Sequence, residues 1–569
     1  MAKRLLALLL AAILLLSLAA CGEGKTEEPA KTADISDEGE YQGELPFIKE
    51  GDEPVTLTIG IQTSGNVTDY KDNAYTKWLE EQTGLNLEFV QFSGTSSEVA
   101  TQVSLMIASG EKLPDILHPG SGISKVQADE YGLDGYFLDL TPYFEKYSYY
   151  QPQTFELYYP DDPSVYRDFL EGAKEPGSGK TFNFPTFEDC PLDTPGCHAW
   201  INREWLDKLG LQMPTTLAEL HDVLVAFRDK DPNGNGVKDE IPMIGKADGA
   251  YIDILRPIIN AYIFWNYRFH FNVGENDKLY TAYTENEYRQ ALCYINDLVK
   301  EGLLSTLTWT QTSAELKSLI NPAEDADFLC GVVCGHADTH FEVNNRSIFV
   351  YDPLPPFKDE TGKGGYGPCG EYSRNYNTYI TADCEHPDLA FKLLDFMSSP
   401  EGSLWARWGE KGVNWDYSDG SVTGNLGGPA KIKLIGDPVF GSQNSQNWHS
   451  VWSANSERYW EYESNIGNLE DWDSCRATKL LQNYKYYEAA GHPDKIFTFV
   501  NYTQEENERR TDINSELLSY IKDRRAQFCT GVLDPRNDQQ WKEYLDGLTA
   551  LHYDEWLILA QAAYDRLQK

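Results

Sequence analysis

Beyond residue 16 the 569-residue chain has no apolar run near the roughly 18 residues that a membrane-crossing helix needs, so no spanning helix is expected. Positive charge is also scarce. Against 89 Asp and Glu stand only 48 Lys and Arg, a formal net charge of −41. Such a surface repels phosphates, which excludes nucleic acid as a main partner. It disfavours polyanions in bulk, although a local basic pocket is compatible with it. The acidity also serves to keep an exported protein soluble. Common signatures of chemistry are missing too. The chain has no G-x-x-x-x-G-K-[ST] phosphate loop, no G-x-S-x-G elbow, no H-E-x-x-H and no Cys–His pair with a local signature. Paired Cys-x2-Cys motifs with neighbouring His, the mark of a structural zinc site, are absent as well. A glycosidase would need two facing carboxylates, and among 89 acids no motif points to such a pair.

What is present begins with an export signal. Met-Ala-Lys-Arg precedes an apolar run from Leu5 to Leu16, and Leu18-Ala19-Ala20-Cys21 follows. This ending resembles the lipobox of bacterial lipoproteins, in which Cys21 becomes the lipidated first residue. The alternative is an ordinary signal peptide with a chance cysteine. Residues 1–21 are thus expected to be removed or lipidated, and 22–51, polar and with little to bury, to form a disordered tether. The chain from 52 to 569 exceeds the roughly 100–200 residues of one domain. At 41% hydrophobic and 13% aromatic the chain can build large cores. Of ten cysteines, Cys21 apart, nine remain, so at least one is unpaired or pairs between molecules. Cys190 and Cys197 enclose a Pro/Gly loop that could close a small disulfide ring. Cys330 and Cys334 either pair or are small buried residues.

The most specific stretch runs from Ile201 to Pro242. Its last twelve residues, DPNGNGVKDEIP (231–242), place side-chain oxygens at Asp231, Asn233, Asn235 and Asp239, with Gly236 sixth. That is the spacing of an EF-hand-like loop around a hard cation, with the carbonyl of Val237 as the seventh position. Position twelve, normally Glu, is Pro242, and Glu240 is the nearest replacement carboxylate. Three acids against Lys238 suit Ca²⁺ better than Mg²⁺. The competing reading is an Asn/Gly turn between two helices. Ahead of the loop, Arg203 to Leu209 reads as a short helix stopped by Gly210. Thr216-x-x-Glu219 then opens a second helix whose Leu217, Leu220, Leu224 and Phe227 share one face. Such a site more often clips structure together than performs chemistry.

Near the start of the body, Val55 to Gln62 and Asn86 to Gln91 read as strands, Asn73 to Gln82 and Ser96 to Ser109 as helices, and a third strand follows Leu113-Pro114-Asp115. This rhythm predicts an α/β fold with a mainly parallel sheet. With Ala108 to Asp115, Gly135 to Thr141, Ile201 to Pro242, Leu393 to Gly402, Gly409 to Gly420 and Glu505 to Tyr564, the chain resembles the extracellular solute-binding proteins of bacterial ABC importers. The resemblance is to family 1, the sugar-binding type, in its large lipoprotein branch similar to alginate-oligosaccharide-binding proteins.

That resemblance implies two α/β lobes of the type II periplasmic-binding-protein-like fold, closing on a ligand between them. Lobe one is expected at 52–180 and 348–402, and lobe two at 181–347 and 403–569, with crossings near 180–186 and 349–356. It also implies calcium held by Asp231, Asn233, Asn235, the Val237 carbonyl, Asp239 and Glu240. The expected partners are an oligosaccharide, a membrane permease with its ATPase and a lipid anchor; the chain itself is expected to be a monomer without catalytic activity. Sugar sites combine flat aromatic faces with planar polar groups. The candidates weighed are Trp200, Trp265, Tyr267, Glu371, Tyr372, Trp448 and Trp452, each with a core role as its alternative. Trp205, Trp405 and Trp541 read as core. Because Tyr and Trp also line peptide grooves, a peptide or other non-sugar solute is the second binding reading.

Overall fold

The computed structural model describes residues 41–160, 163–175, 177–188, 198–249, 252–343, 345–359, 361–362, 364–367, 373–424, 428–435, 443–448, 470, 472–497 and 500–568. Strand β1 (Thr56–Gln62) forms where alternating Leu57, Ile59 and Ile61 can all be buried. Its Gly60 is required by close packing, because a Cβ there would lie 2.8 Å from the Pro114 ring and 2.9 Å from that of Phe92. Helix α1 (Ala74–Thr83) starts at Asn73, whose side chain accepts the Tyr75 N–H. Strand β2 (Asn86–Phe92) follows, then helix α2 (Ser96–Ser109), which opens on a Thr95/Glu98 capping box and ends at left-handed Gly110. Strand β3 (Ile116–His118) completes the unit. Both β2 and β3 pair parallel to β1, as the strand–helix rhythm predicts. Helices α3 (Lys125–Leu133) and α4 (Ser164–Ala173) come next.

The chain then leaves the first sheet through β4 (Thr186–Glu188) and enters a second at β5 (Ala199–Asn202). Helix α5 (Arg203–Leu209) begins on the Asn202 side chain, which accepts the Trp205 N–H at 3.0 Å, and stops at left-handed Gly210. Helix α6 (Leu217–Asp229) carries the expected capping box and buries Leu217, Leu220, Leu224 and Phe227. Strand β6 (Ile241–Met243) follows the loop. The hairpin β7–β8 (Asn272–Val273, Leu279–Tyr280), helix α7 (Asn286–Lys300) and strands β9 (Cys330–Cys334) and β10 (Tyr351–Pro353) complete this half. Return runs through β11 (Ser373–Asn375), antiparallel to β4, and β12 (Tyr379–Ile380).

The strand orders are β12-β3-β1-β2 and β10-β5-β9-β6. These orders correct two expectations. In the second sheet only β6·β9 is parallel, while β5·β9 and β5·β10 are antiparallel, as is β3·β12 in the first. Both sheets are therefore mixed, because the first sheet strand after each crossing, β5 in the second sheet and β12 in the first, runs against the others. The return crossing also lies at β11 rather than at 349–356, since β10 belongs to the second sheet.

Three packing groups surround these sheets. Helices α8 (Pro387–Met397) and α9 (Pro400–Trp408) join the first, where Trp78 stacks between Phe396 and Trp405 at 5.3 and 5.2 Å. Trp448 packs there too, so residues 403–408 and 448 lie with the first sheet although 403–569 was expected in lobe two. The β13·β14 pair (Trp415–Tyr417, Ile432–Leu434) and helix α10 (Trp472–Ala490) lead to α11 (Gln504–Thr530), α12 (Asp538–Ala550) and α13 (Tyr553–Leu567). These last three helices pack with α6 and α7 over the second sheet, burying Trp205 and Trp541 as expected. Cys330 and Cys334 are buried and are not joined in a disulfide. Cys190 and Cys197 lie outside the described residues. Among the described residues no helix is long and apolar enough to cross a membrane.

Candidate ligand cavity and metal loop

Loop 231–242 joins α6 to β6. Asp231 adopts φ 47°, a region that Asp tolerates better than most residues, and Gly236 adopts 77° at the sharp bend. The Asp231 carboxylate accepts the Gly234 N–H (2.9 Å) on one oxygen and the Gly236 N–H (3.0 Å) on the other. Asn233 and Asn235 each accept an N–H two residues on, from Asn235 at 3.0 Å and Val237 at 2.7 Å. Their amide nitrogens donate to Asp239, at 3.0 Å from Asn233 and 3.2 Å from Asn235.

The third acid tests whether these residues suit a cation. Glu240 Oε1 is buried without a hydrogen-bond partner. Burial, then the charges of Asp231 and Asp239, push its carboxyl above the usual range. The nearby Lys208 ammonium donates instead to the Pro232 carbonyl at 2.7 Å. Like charges gathered around an orphaned carboxylate oxygen fit a hard, oxygen-seeking cation. Among the described residues no three His, Cys, Asp or Glu form a metal cluster by themselves. A full set therefore needs the amide oxygens of Asn233 and Asn235 and the Val237 carbonyl.

A cavity of about 510 Å³ lies elsewhere, between the start of α3 and the group formed by 268–271, 497–502, α11 and α13. Asn266 builds one wall. Its side chain donates to the carbonyls of Phe271 (2.9 Å) and Phe497 (2.8 Å) and accepts the Phe269 N–H (3.1 Å). Phe271 and Trp556 then meet at 4.3 Å between ring centres, and Phe271 and Phe497 at 5.2 Å. Asn514 accepts the Trp556 indole N–H at 2.5 Å. On α11, Asn507, Arg510, Thr511, Asn514 and Leu518 recur at helical spacing and present one face to the cavity. Arg510 lies over the Tyr502 ring at 4.4 Å and donates to Asn507 at 3.2 Å. The opposite side is tied in by Asn501, which donates to the α4 carbonyl of Glu171 at 3.0 Å. His270 packs against Tyr283, Nδ1 to hydroxyl 2.7 Å. Burial, and then Arg525 and Arg510, lower its pKa to about 4, so the ring is neutral at pH 7. Aromatic faces beside amide groups can hold the apolar and hydroxyl faces of a polyhydroxylated ring.

None of the four expected ligand residues that are described lines this cavity. Trp200 is fully buried in β5, its indole donating to the Gly335 carbonyl at 2.7 Å. Trp448 is fully buried too, donating to Thr76 Oγ1 at 2.9 Å. Trp265 is buried against Arg525. Half-buried Tyr267 accepts the Gly249 N–H at 3.1 Å under the Arg256 guanidinium, 3.9 Å from its ring. These four are packing residues in this structure. The aromatic run 264–271 does divide between core and cavity, but Phe269 and Phe271 form the cavity side. Glu371, Tyr372 and Trp452 lie outside the described residues. The polar stripe on α11 carried the missed signal, as Asn-x-x-Arg-Thr-x-x-Asn at helical spacing.

Two mixed sheets linked by paired crossing strands form the two-lobe α/β architecture of a solute-binding protein. The chain belongs to the bacterial extracellular solute-binding proteins, whose family model matches residues 64–403. Among curated proteins it is 25% identical over 523 residues, 86% of each chain, to FusA of Streptococcus pneumoniae serotype 4, a fructooligosaccharide ABC transporter substrate-binding protein. It is 26% identical over 348 residues to the lipoprotein LipO of Bacillus subtilis, covering 59% of this chain and 63% of LipO. Among solved structures, a FusA EF-hand mutant in complex with fructo-nystose gives a TM-score of 0.68 at 21% identity, covering 90% of this chain and 99% of that one. An HMO-binding ABC-transporter-associated solute-binding protein from Bifidobacterium longum infantis gives 0.71 at 22% identity, with the same coverage.

Proposed function

We propose that the protein is the lipid-anchored binding component of an ABC importer and captures an oligosaccharide between its lobes. The cavity carries this reading: in a solute-binding fold, aromatic faces of Phe269, Phe271 and Trp556 stand beside the amides of Asn507 and Asn514. The name of FusA supports a sugar over a peptide. A ligand that touches both α3 and α11 favours the closed arrangement by its contacts with the second lobe, and a membrane permease would receive it from that state. The chain performs no chemistry on the ligand. Cys21 is the anchor position in this reading, and the LipO name is in keeping with it.

Calcium belongs to the same proposal. Asp231, Asn233, Asn235, the Val237 carbonyl, Asp239 and Glu240 would hold the ion, whose charge would offset three carboxylates. The chain's own part is to fix the α6-to-β6 connection, a structural clip. The FusA EF-hand mutant supports a loop of this kind in a relative. Calorimetric titration with oligosaccharides, alongside chromatography for released products, tests the function. Saturable binding without products is expected. Product release would make the protein an enzyme, and stabilisation by a peptide with every sugar inert would overturn the sugar reading.

A further inference from the structure

The cavity differs in charge from the rest of the molecule. In a chain of net charge −41, Lys125, Arg268 and Arg510 line its wall and, among the described residues, no acidic side chain does. Lys125 is committed, donating to the carbonyls of Gly172 and Lys174. The two arginines are not. Exposed Arg268 has only its neighbour Phe269 beneath it, with 5.4 Å to the ring centre. Half-buried Arg510 makes its side-chain contacts to Tyr502 and Asn507, and its Nε is buried without a hydrogen-bond partner. Neither guanidinium forms an ion pair with a described carboxylate. Helix α3 also begins at this wall, where its positive end favours an anion.

We propose that the ligand unit held here carries a carboxylate, as a uronic or sialic acid does, and that Arg268 and Arg510 are the residues that read it. This inference rests on the oligosaccharide reading and narrows it to acidic sugars. A neutral sugar would cover both guanidiniums without supplying a counter-charge, which is costly as water leaves. A carboxylate offers two oxygens to the planar donors of each arginine, a geometry that an ammonium does not match. The field of the remaining chain repels anions, so a basic cavity within it selects for one where a neutral ligand needs none.

The test is titration of the purified protein with tri-galacturonate, a β-linked di-glucuronate and 3′-sialyllactose, each beside its own methyl ester, and with neutral fructo-oligosaccharide and lactose. At least one acid should bind about 10- to 100-fold more tightly than its ester, the range expected for hydrogen bonds to charged groups. Added salt should narrow that gap. Arg268→Gln, at an exposed position, should remove at least about tenfold of the acid's affinity and change a neutral sugar's by less than about threefold. Arg510→Gln should act in the same direction, with the melting temperature reporting its fold. Neutral sugars binding as well as every acid would overturn the acidic specificity and leave the oligosaccharide reading intact. Equal losses for acid and ester in Arg268→Gln would also overturn it. If no glycan binds the folded protein, both readings fall together.

Discussion

The loop at 231–242 and the cavity use the same kinds of group in opposite ways. The loop is one exposed, contiguous stretch rich in acids, and the hydrogen bonds its Asp and Asn side chains make join residues two to six apart. Cavity walls come from five separate parts of the chain, and the bond that shapes one wall joins residues 231 apart. The loop gathers negative charge around Glu240, whereas the cavity gathers positive charge around Arg510. Local order can therefore be written into twelve residues, while a ligand surface depends on what the remaining chain folds against it. The two should also fail differently: damage to the loop should loosen the molecule, and damage to the cavity's polar groups should change what it binds.

Removing a core aromatic that its sequence context offers as a ligand platform sharpens this contrast most. Trp448→Ala should cost about 3–5 kcal/mol of stability in urea unfolding, since it empties a fully buried indole site and removes the donor to Thr76 Oγ1. Undiminished stability with lost sugar binding would instead put Trp448 in the ligand site. Chelation comes next. Calcium at about 100 times its dissociation constant should add about 2.7 kcal/mol, and EDTA should lower the melting temperature accordingly. Asp231→Ala should abolish that response and leave sugar affinity at low temperature unchanged. If EDTA ended binding without lowering the melting temperature, the loop would be part of the ligand site rather than a clip.

Legibility follows the same divide. Helix α6 and its capping box were readable because Thr216 and Glu219 act within one turn; α5 was readable because Gly210 stops it locally. The β1–α1–β2–α2–β3 unit was readable because its parallel pairs, β1·β2 and β1·β3, all fall within one short strand–helix–strand–helix–strand stretch. Pairing of β10 with β5, and of β12 with β3, was not, since neither strand's partner is its neighbour in the chain. Nor does an indole announce which surface will cover it. Trp405 and Trp448 both end up buried in the first packing group, one expected to be core and the other weighed evenly between a stacking platform and a buried ridge. The cavity's own stripe on α11 does have local spacing, but nothing within that helix says that Phe271 and Trp556 will face it.

A smaller effect tests the charge balance at the cavity's edge. Glu175 is buried beside Lys125, with Asn183 donating to one carboxylate oxygen at 2.8 Å and the other oxygen unpartnered. Burial raises its pKa to about 7, Lys125 and Asn183 oppose the rise, and Asp129 adds to it. The folded state thus holds this proton more tightly than the unfolded chain, whose carboxyl lies near 4.5. That stabilisation is full below about pH 4.5 and is lost as pH rises through about 7. Glu175→Gln should therefore raise the melting temperature by a few degrees at pH 8 and by much less at pH 5. A lower melting temperature than the parent at pH 8 would mean that attraction to Lys125 outweighs burial.

The smallest expected change separates the helix from the loop it feeds. Thr216 accepts the Glu219 N–H at 3.2 Å, while the Glu219 carboxylate accepts the N–H groups of Thr215 and Thr216 at 2.8 and 3.2 Å. Thr216→Ala removes the first of these and should cost about 1 kcal/mol in urea unfolding. Since Thr216 is three turns of α6 away from Asp231, the loss should be equal in calcium and in EDTA. A loss seen only in calcium would show that the cap sets the loop's shape, so that helix and loop act as one unit. Equal losses would leave the loop as a clip whose geometry is contained in its own twelve residues.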